Sequence, residues 1–512
     1  MTARGGRSGS PPLSRSQRGR PSARRARAQS TADAEAADSS PGWTPGLVGL
    51  VVVGALLRLY YLDQPMRYDE SITYLHYASQ PWETSIGSYT YPNNHVFHTV
   101  LVKACVTLFG DDPWVLRLPA YVAGVAMMPL TFWLGRREFG SPAAYLGTAL
   151  VAGSGALVLY STNARGYTMI CAATLILAGL LLRLRERPSG TLWAVAIVVA
   201  ALGMWTIPVM LLPAGGLAFW FALSALSGDT SDRRGDLARL GLAIVAAALL
   251  TALLYSPILT RHGLAVLADN AFVSASPWRV FYRELASSLA RMSSGWSLGI
   301  PSLVVIALGA CAIIGLVSPR RSGAMRVSMA GSMYLWCAAL LIVTHRAPFP
   351  RVWLFLVAPA ALFAAHGLLR LLAGRPSAHE QVVTWPGASG AVAAILLSIG
   401  VILSRDVVTS LETGTLYHAE QIAAALRGRL RPGDRVVAPL PSNGPLSYYF
   451  LREGLDTTYL SSIPRDSSRV YLIVNTAEGY TVRTRIPDPL MQRFQNAQLV
   501  LRYPTAEIYQ MY

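Results

Sequence analysis

The sequence predicts a mainly α-helical, polytopic membrane protein that ends in a small α/β domain. Of the 512 residues, 53% are hydrophobic and only 14% are charged, and the mean hydropathy is +0.38, which is unusual for a soluble chain of this size. Long apolar runs recur up to residue 404, and shorter alternating segments follow. We therefore expect a basic tail (1–42), a transmembrane domain (43–404) and a C-terminal domain (405–512).

The basic tail holds eight arginines in its first 30 residues, together with Ser, Pro and Gly, and few core-forming side chains. This composition predicts disorder. We expect the tail to stay in the cytoplasm, where it orients the first helix and contacts anionic lipid headgroups, rather than to bind nucleic acid. It is too long ahead of the first apolar run to be a cleavable signal peptide.

The transmembrane domain is expected to contain about eleven spans, because crossing a hydrocarbon core of ~30 Å takes about 20 mostly apolar residues. The predicted spans lie near 46–62, 118–134, 143–160, 167–182, 191–206, 208–226, 238–258, 299–317, 327–343, 352–372 and 388–404. The four cysteines stand singly in apolar segments, which predicts neither a disulfide framework nor a cysteine metal site.

Arginine-rich short loops predict the orientation. If the N-terminus is cytoplasmic, alternate loops ("GRREFGS", "RLRERPSG", "SGDTSDRRGDLAR", "SPRRSGAMR" and "RLLAGRPSAHE") hold thirteen arginines and all lie inside. The first long loop (63–117), the second (259–298) and the chain after residue 404 then lie outside the plasma (inner) membrane. In the last of these, helical segments such as "HAEQIAAALRGRL" alternate with strands such as "RVYLIVN", and no glycine loop for phosphate is present.

Two adjacent carboxylates, Asp69 and Glu70, open a predicted helix, "DESITYLHYAS", in the first outer loop. A purely structural interpretation is available, because Asp is a good N-cap and Glu in the first turn complements the helix dipole. A functional interpretation is favoured by the polar residues that follow in the same loop, in "TYPNNHVFHTVLVKACVTLFG".

These polar residues include Asn94, His95 and His98, just ahead of an apolar helix. The two histidines are spaced i, i+3 and share a helical face, so a zinc site with Asp69 or Glu70 as third ligand is one interpretation. The alternative, which we favour, is that they form hydrogen bonds at the membrane interface.

Four arginines lie at helix ends on the predicted outer face: Arg58, Arg165, Arg346 and Arg351. Taken singly, each is expected to reach for lipid headgroups. Together with a carboxylate loop they predict a site for an anionic group, because guanidinium binds phosphate through a bidentate fork. Sugar transfer from a lipid-linked phosphate needs this combination, a base for the acceptor hydroxyl and cations for the phosphate leaving group.

The segments "YDESITYLHY", "YPNNHVFHTVLVKACVTLFGDDPWVLRLPAYVAG", "YSTNARGYTM" and "PFPRVWLFLVAP" occur in this order. In them the chain resembles the bacterial GT-C glycosyltransferases related to protein O-mannosyltransferases and aminoarabinose lipid A transferases, a group similar to glycosyltransferase family 39. The resemblance covers roughly residues 45–372. It implies a GT-C-like helical membrane enzyme that uses a polyprenyl-phosphate sugar and usually inverts the anomeric carbon.

The resemblance also implies roles for individual residues. Asp69 matches the first-loop general base, and Glu70 is an accessory that orients Asp69 or the acceptor. His95 matches the first-loop histidine, although the common "HPP" reads "HVF" here. Arg165 and Tyr167 match "ARGY". Arg351 matches an arginine ahead of a late helix, and we assign both arginines to the donor phosphate.

The predicted substrate-binding set also includes Asn94, His98, Arg58 and Arg346. The acceptor hydroxyl would belong to a glycan, a lipid or a protein. No metal is required, although a divalent cation bridging Asp69 and the donor phosphate is compatible with the scheme.

Three other interpretations stay open. A lipid-linked glycan flippase would carry midplane charges and inverted repeats, of which we find no clear example. An O-antigen polymerase or ligase would place its site in a large later loop, but residues 259–298 lack a comparable carboxylate and histidine set. The third is a structural membrane protein whose C-terminal domain binds a partner.

Overall fold

The computed structural model describes residues 43–227, 232–268, 275–318, 327–347, 349–374, 382–460, 469–481 and 497–511. The predicted disordered tail (1–42) lies outside these residues, and so does nearly all of the predicted segment "PDPLMQRFQNA". Residues 45–512 form one unit, and the domain boundary at residue 404 stays a prediction.

The described residues are mainly helical. The α-helices in chain order are α1 (Pro45–Tyr60), α2 (Tyr68–Thr73), α3 (Trp82–Gly87), α4 (Val96–Phe109), α5 (Pro113–Phe139), α6 (Ser141–Ala152), α7 (Gly155–Ser161), α8 (Tyr167–Glu186), α9 (Gly190–Thr206), α10 (Leu211–Leu226), α11 (Arg233–His262), α12 (Ala265–Ala268), α13 (Trp278–Trp296), α14 (Ser302–Val317), α15 (Met329–Thr344), α16 (Val357–Leu372), α17 (Pro386–Ser404), α18 (Asp406–Thr409), α19 (Ala419–Arg427) and α20 (Asn443–Arg452). A π-helical turn, Tyr74–Ala78, follows α2, and 3-10 turns occur at Pro208–Met210, Pro350–Leu356, Thr457–Leu460 and Thr476–Glu478.

Each of the eleven predicted spans coincides with apolar helix. Six helical segments of the described chain are long and apolar enough to cross a membrane, and the bent pair α6–α7 makes a seventh if it is one span. Four shorter apolar helices, α1, α9, α14 and α15, account for the other predicted spans, whereas α4 is an apolar helix of the predicted first loop. The positions are therefore as expected, and the number of membrane crossings stays a prediction.

The break between α6 and α7 accounts for the partners of Arg58, a residue that we expected to bind substrate. The two helices meet at 57°. The fully buried Arg58 guanidinium donates to the carbonyls of Gly54, Ala152 and Val151 at 3.0, 2.9 and 3.2 Å and to Ser161 Oγ at 3.1 Å. It thus satisfies carbonyls that a broken helix leaves without partners in an apolar setting. In the structure Arg58 supports the bundle, and its role in substrate binding stays a prediction.

The C-terminal α/β arrangement is confirmed. Four strands, β1 (Arg435–Val437), β2 (Val470–Asn475), β3 (Gln498–Tyr503) and β4 (Ala506–Met511), form a sheet in the order β1-β2-β4-β3. The β1–β2 pair is parallel and the other two pairs are antiparallel. The predicted strand "RVYLIVN" is the fully buried β2, which a continuous apolar run predicts.

This sheet and the first loop share one hydrophobic core. Its buried residues include Ile422 and Leu446 from α19 and α20, Ile473 from β2, and Met66 and Val102 from the first loop. The backbone adds a direct link, because the N–H groups of Tyr68 and Asp69 donate to the carbonyls of Gly414 and Thr413 at 3.1 and 3.2 Å. The start of α2 is therefore held by chain that follows the last long apolar helix.

Candidate active site

Asp69 is the second residue of α2, and its carboxylate is almost unused. Arg67, not Asp69, is the N-cap residue, and the Arg67 backbone N–H donates to Glu70 Oε1 at 2.8 Å. Asp69 Oδ1 accepts a long hydrogen bond of 3.4 Å from Asn93 Nδ2, while Oδ2 is buried and has no hydrogen-bond partner in the described structure. A purely capping role for Asp69 is therefore wrong.

Two arginines face this free oxygen. Arg165 Nη2 and Arg351 Nη2 lie 3.9 and 4.0 Å from Asp69 Oδ2. Arg165 is held in place because its Nη1 donates to the Asn93 carbonyl at 3.0 Å and to Thr73 Oγ1 at 3.3 Å. Both separations exceed hydrogen-bond length, so neither guanidinium occupies this oxygen.

Arg351 is oriented by partners on another side. Its Nε donates to Tyr167 Oη at 3.1 Å, and its Nη1 donates to Glu412 Oε1 at 2.9 Å. The same Glu412 oxygen accepts from Tyr160 Oη at 3.0 Å. The structure thus places the predicted Tyr167 and Arg351 together and adds Glu412, which lies in the motif-free stretch "SLETG" after the last apolar helix.

A cavity of about 250 Å³ adjoins this group. Arg351, Tyr160 and Glu412 line it, as do Arg291 and Trp296 near the end of α13 and Leu298 beyond it. Arg351 therefore contributes both to the surroundings of Asp69 and to the cavity wall.

Glu70 has no free oxygen of this kind. Its carboxylate is fully buried and accepts from Arg117 Nε at 3.0 Å, from Arg117 Nη2 and from the Ala164 backbone N–H at 2.9 Å. Arg117 in turn donates to the carbonyls of Leu62 and Gln64 at 2.7 and 2.6 Å. The Glu70 side chain has no position from which to touch a substrate, so the geometry favours a scaffolding role.

His95 is a buried, neutral hydrogen-bond acceptor. Its Nδ1 accepts from the Gly166 backbone N–H at 2.9 Å, and its ring contacts that of Tyr167 at 5.1 Å between centroids. Burial, together with the positive charge of Arg165, holds the pKa of His95 well below its ordinary value of 6.5. His95 therefore anchors the start of α8, which brings Tyr167 to the site.

The other predicted site residues, Asn94, His98 and Arg346, have different surroundings. Asn94 closes the first loop, with Nδ2 donating to the Ser85 and Ser88 carbonyls at 3.0 and 2.8 Å. His98 is fully buried, and neither ring nitrogen has a hydrogen-bond partner in the described structure. Within the described ranges, Arg346 forms no hydrogen bond or ion pair with Asp69, Arg165 or Arg351. Nor do the described residues contain a group of three or more His, Cys, Asp and Glu placed to hold a metal ion.

Comparison with known proteins finds a matching family model and a similar fold. A family model described as dolichyl-phosphate-mannose-protein mannosyltransferase matches residues 96–255, from the start of α4 into α11. The structure is similar to that of ArnT from Cupriavidus metallidurans in the apo state, with a TM-score of 0.59 and 14% identity over 90% of this chain and 97% of that chain. ArnT bound to undecaprenyl phosphate matches with the same TM-score and coverage at 13% identity. No curated protein sequence matches the chain.

These matches confirm the predicted resemblance to GT-C glycosyltransferases. At such low sequence identity, the likeness to ArnT establishes the fold, which is that of a multi-pass membrane protein.

Proposed function

We propose that this protein transfers a sugar from a polyprenyl-phosphate donor to an acceptor hydroxyl on the extracytoplasmic face of the plasma membrane. The observation that carries the proposal is the free, buried Oδ2 of Asp69 between Arg165 and Arg351. A similar fold that binds undecaprenyl phosphate in ArnT supports the donor class. The arginine-rich loops support the orientation, which places α2 outside.

In the proposed reaction the acceptor hydroxyl donates its hydrogen bond to Asp69 Oδ2. As the hydroxyl oxygen attacks the anomeric carbon, Asp69 takes the proton and the bond from that carbon to the phosphate oxygen breaks, which inverts the centre. The phosphate leaves with its electron pair, and Arg351 and Arg165 stabilise its charge. Asp69 later returns the proton to water. A bridging divalent cation is compatible with this scheme, and none of these steps requires one.

Glu70 acts in this proposal as a positioning residue. Its carboxylate joins the Arg67 backbone, Arg117 and the Ala164 N–H, so it ties the start of α2 to the turn that carries Arg165. Asp69 is next to Glu70 in sequence and Arg165 is next to Ala164. The distance between Asp69 and Arg165 therefore depends on the hydrogen bond from Ala164 N–H to Glu70.

The experiment is a transfer assay with Asp69→Asn in membranes at matched expression, using a radiolabelled polyprenyl-phosphate sugar. We expect turnover to fall by about 10²–10⁴-fold, the usual contribution of a general base. Asp63→Asn is the matched control, because Asp63 is an exposed carboxylate of the same loop. Near-normal turnover of Asp69→Asn would overturn the assignment.

A second experiment distinguishes a transferase from a flippase. In detergent solution no bilayer is available across which a lipid could be moved, so transfer of label from donor to acceptor reports chemistry alone. We expect the detergent-purified protein to form labelled product. Lipid translocation in proteoliposomes without any product would favour the transporter interpretation.

A further inference from the structure

We propose that Glu412 is an internal anion that holds Arg351 and must be displaced by the donor phosphate. This inference rests on the proposed function and adds a residue that controls donor affinity. Glu412 is the only carboxylate within hydrogen-bond distance of the Arg351 guanidinium in the described structure, at 2.9 Å from Nη1.

Hydrogen bonds from Arg67 fix the backbone around Glu412. The buried Arg67 donates from Nη1 to the carbonyls of Glu412 and Ser410 at 3.2 and 2.7 Å, and from Nη2 to the Val407 carbonyl at 2.7 Å. Three carbonyls of the segment that leads to Glu412 are therefore clamped to the start of α2. Tyr160 adds a hydrogen bond to the carboxylate itself.

The carboxylate is nevertheless displaceable. Its side chain is 31% exposed and lines the cavity, in contrast with the fully enclosed Glu70 side chain. A carboxylate and a phosphate present similar oxygens to a guanidinium fork. The two anions thus compete for Arg351 Nη1, and like charges cannot both stay close to it without a cost in free energy.

Competition has a second consequence for Asp69. Arg351 lies between two carboxylates, bonded to Glu412 and 4.0 Å from Asp69 Oδ2. If Glu412 were neutral, Asp69 would be the remaining anion within reach, and Arg351 Nη2 would gain by closing onto it, while Nη1 would stay available to a phosphate. Glu412 thereby keeps Oδ2 open for the acceptor hydroxyl.

The test is binding of undecaprenyl phosphate, without sugar, to purified protein in nanodiscs. Glu412→Gln keeps the size and one acceptor oxygen, so Tyr160 keeps its partner. We expect the Kd of this variant to fall about tenfold, the size of one partly exposed charge-assisted hydrogen bond. Glu453→Gln is the matched control, since Glu453 is a partly exposed glutamate that pairs with Arg427 away from the cavity. We expect its Kd to equal that of the parent.

Steady-state kinetics complete the test, because a purely structural role of Glu412 would not make the donor KM and kcat fall together. Glu412→Gln should lower the donor KM and also lower kcat, whereas Glu412→Asp should restore part of both values. Equal or weaker binding of undecaprenyl phosphate by a Glu412→Gln protein of parental thermal stability would overturn the proposal. That binding result requires no sugar transfer, so it is independent of the outcome for Asp69→Asn.

Discussion

Glu70 and Arg117 form an ion pair that is closed to solvent on both sides, one residue away from the carboxylate proposed as the base. Both side chains have 0% exposure. The backbone N–H groups of Arg67 and Ala164 complete the coordination of Glu70. Adjacent acidic residues thus have opposite surroundings, since one is saturated and the other has a free oxygen.

Glu70→Ala should destabilise the protein by about 3–5 kcal/mol, because it leaves the Arg117 charge buried without a partner. Glu70→Gln keeps one acceptor and should cost less. The measurement is thermal unfolding of the purified protein in detergent. An alanine variant as stable as the parent would show that the pair does not support the fold.

Arg165→Gln should lower kcat by about 10²–10³-fold, because it removes a preorganised cation beside Asp69. Arg165→Lys keeps the charge, but lysine lacks the planar fork that now reaches Asn93, Thr73 and Asp69, so an intermediate loss is expected.

Steady-state kinetics with donor varied would check both variants. Arg261→Gln is the control, since Arg261 is an exposed arginine that donates a hydrogen bond to the Glu83 carbonyl. Unchanged kcat in Arg165→Gln would remove Arg165 from the site.

The depressed pKa of His95 predicts a stability that falls in acid. Below about pH 6.5 the unfolded chain binds a proton at this histidine and the folded chain does not, so the free energy of unfolding decreases by up to about 1.4 kcal/mol per pH unit. In His95→Asn the amide oxygen can still accept from Gly166 N–H but takes up no proton.

The measurement is the Tm between pH 7.5 and 5.0. The parent should lose more stability than His95→Asn over this interval. Parallel curves would mean that His95 is not held neutral.

A cysteine at position 440 should react with an impermeant maleimide in intact cells. Leu440 is 58% exposed, and the basic loops predict that the C-terminal domain is extracytoplasmic. The parent protein, with its four native cysteines, is the control for background labelling. Labelling that appears only after the cells are lysed would reverse the predicted orientation.

The sequence predicted the helices well because the length of an apolar run is a local property. It also placed Asp69, Arg165 and Arg351 on one face, since charge near helix ends follows from the same runs. The distances of 3.9 and 4.0 Å from Asp69 Oδ2 to the two arginines depend on how α2, α8 and the Pro350–Leu356 turn pack, which only the structure shows.

The residues whose surroundings the sequence did not predict depend on contacts between distant parts of the chain. The sequence placed Arg58 at the outer end of a helix and predicted one continuous span over residues 143–160. In the structure that span is broken between α6 and α7, and Arg58 donates to carbonyls at the break. Glu412 and Arg67 carry no motif. The available signal was the scarcity of carboxylates, 27 against 44 Lys and Arg, which makes each conspicuous.

The clamp from Arg67 to Ser410 joins residues 343 positions apart. During synthesis, the first loop therefore leaves the ribosome long before the segment that completes its surroundings. A nascent chain that has inserted every helix through α16 still lacks the partner that orders Arg67 and the anion that holds Arg351. The site to which we assign sugar transfer is thus completed only at the end of biogenesis, when residues 407–412 have been made.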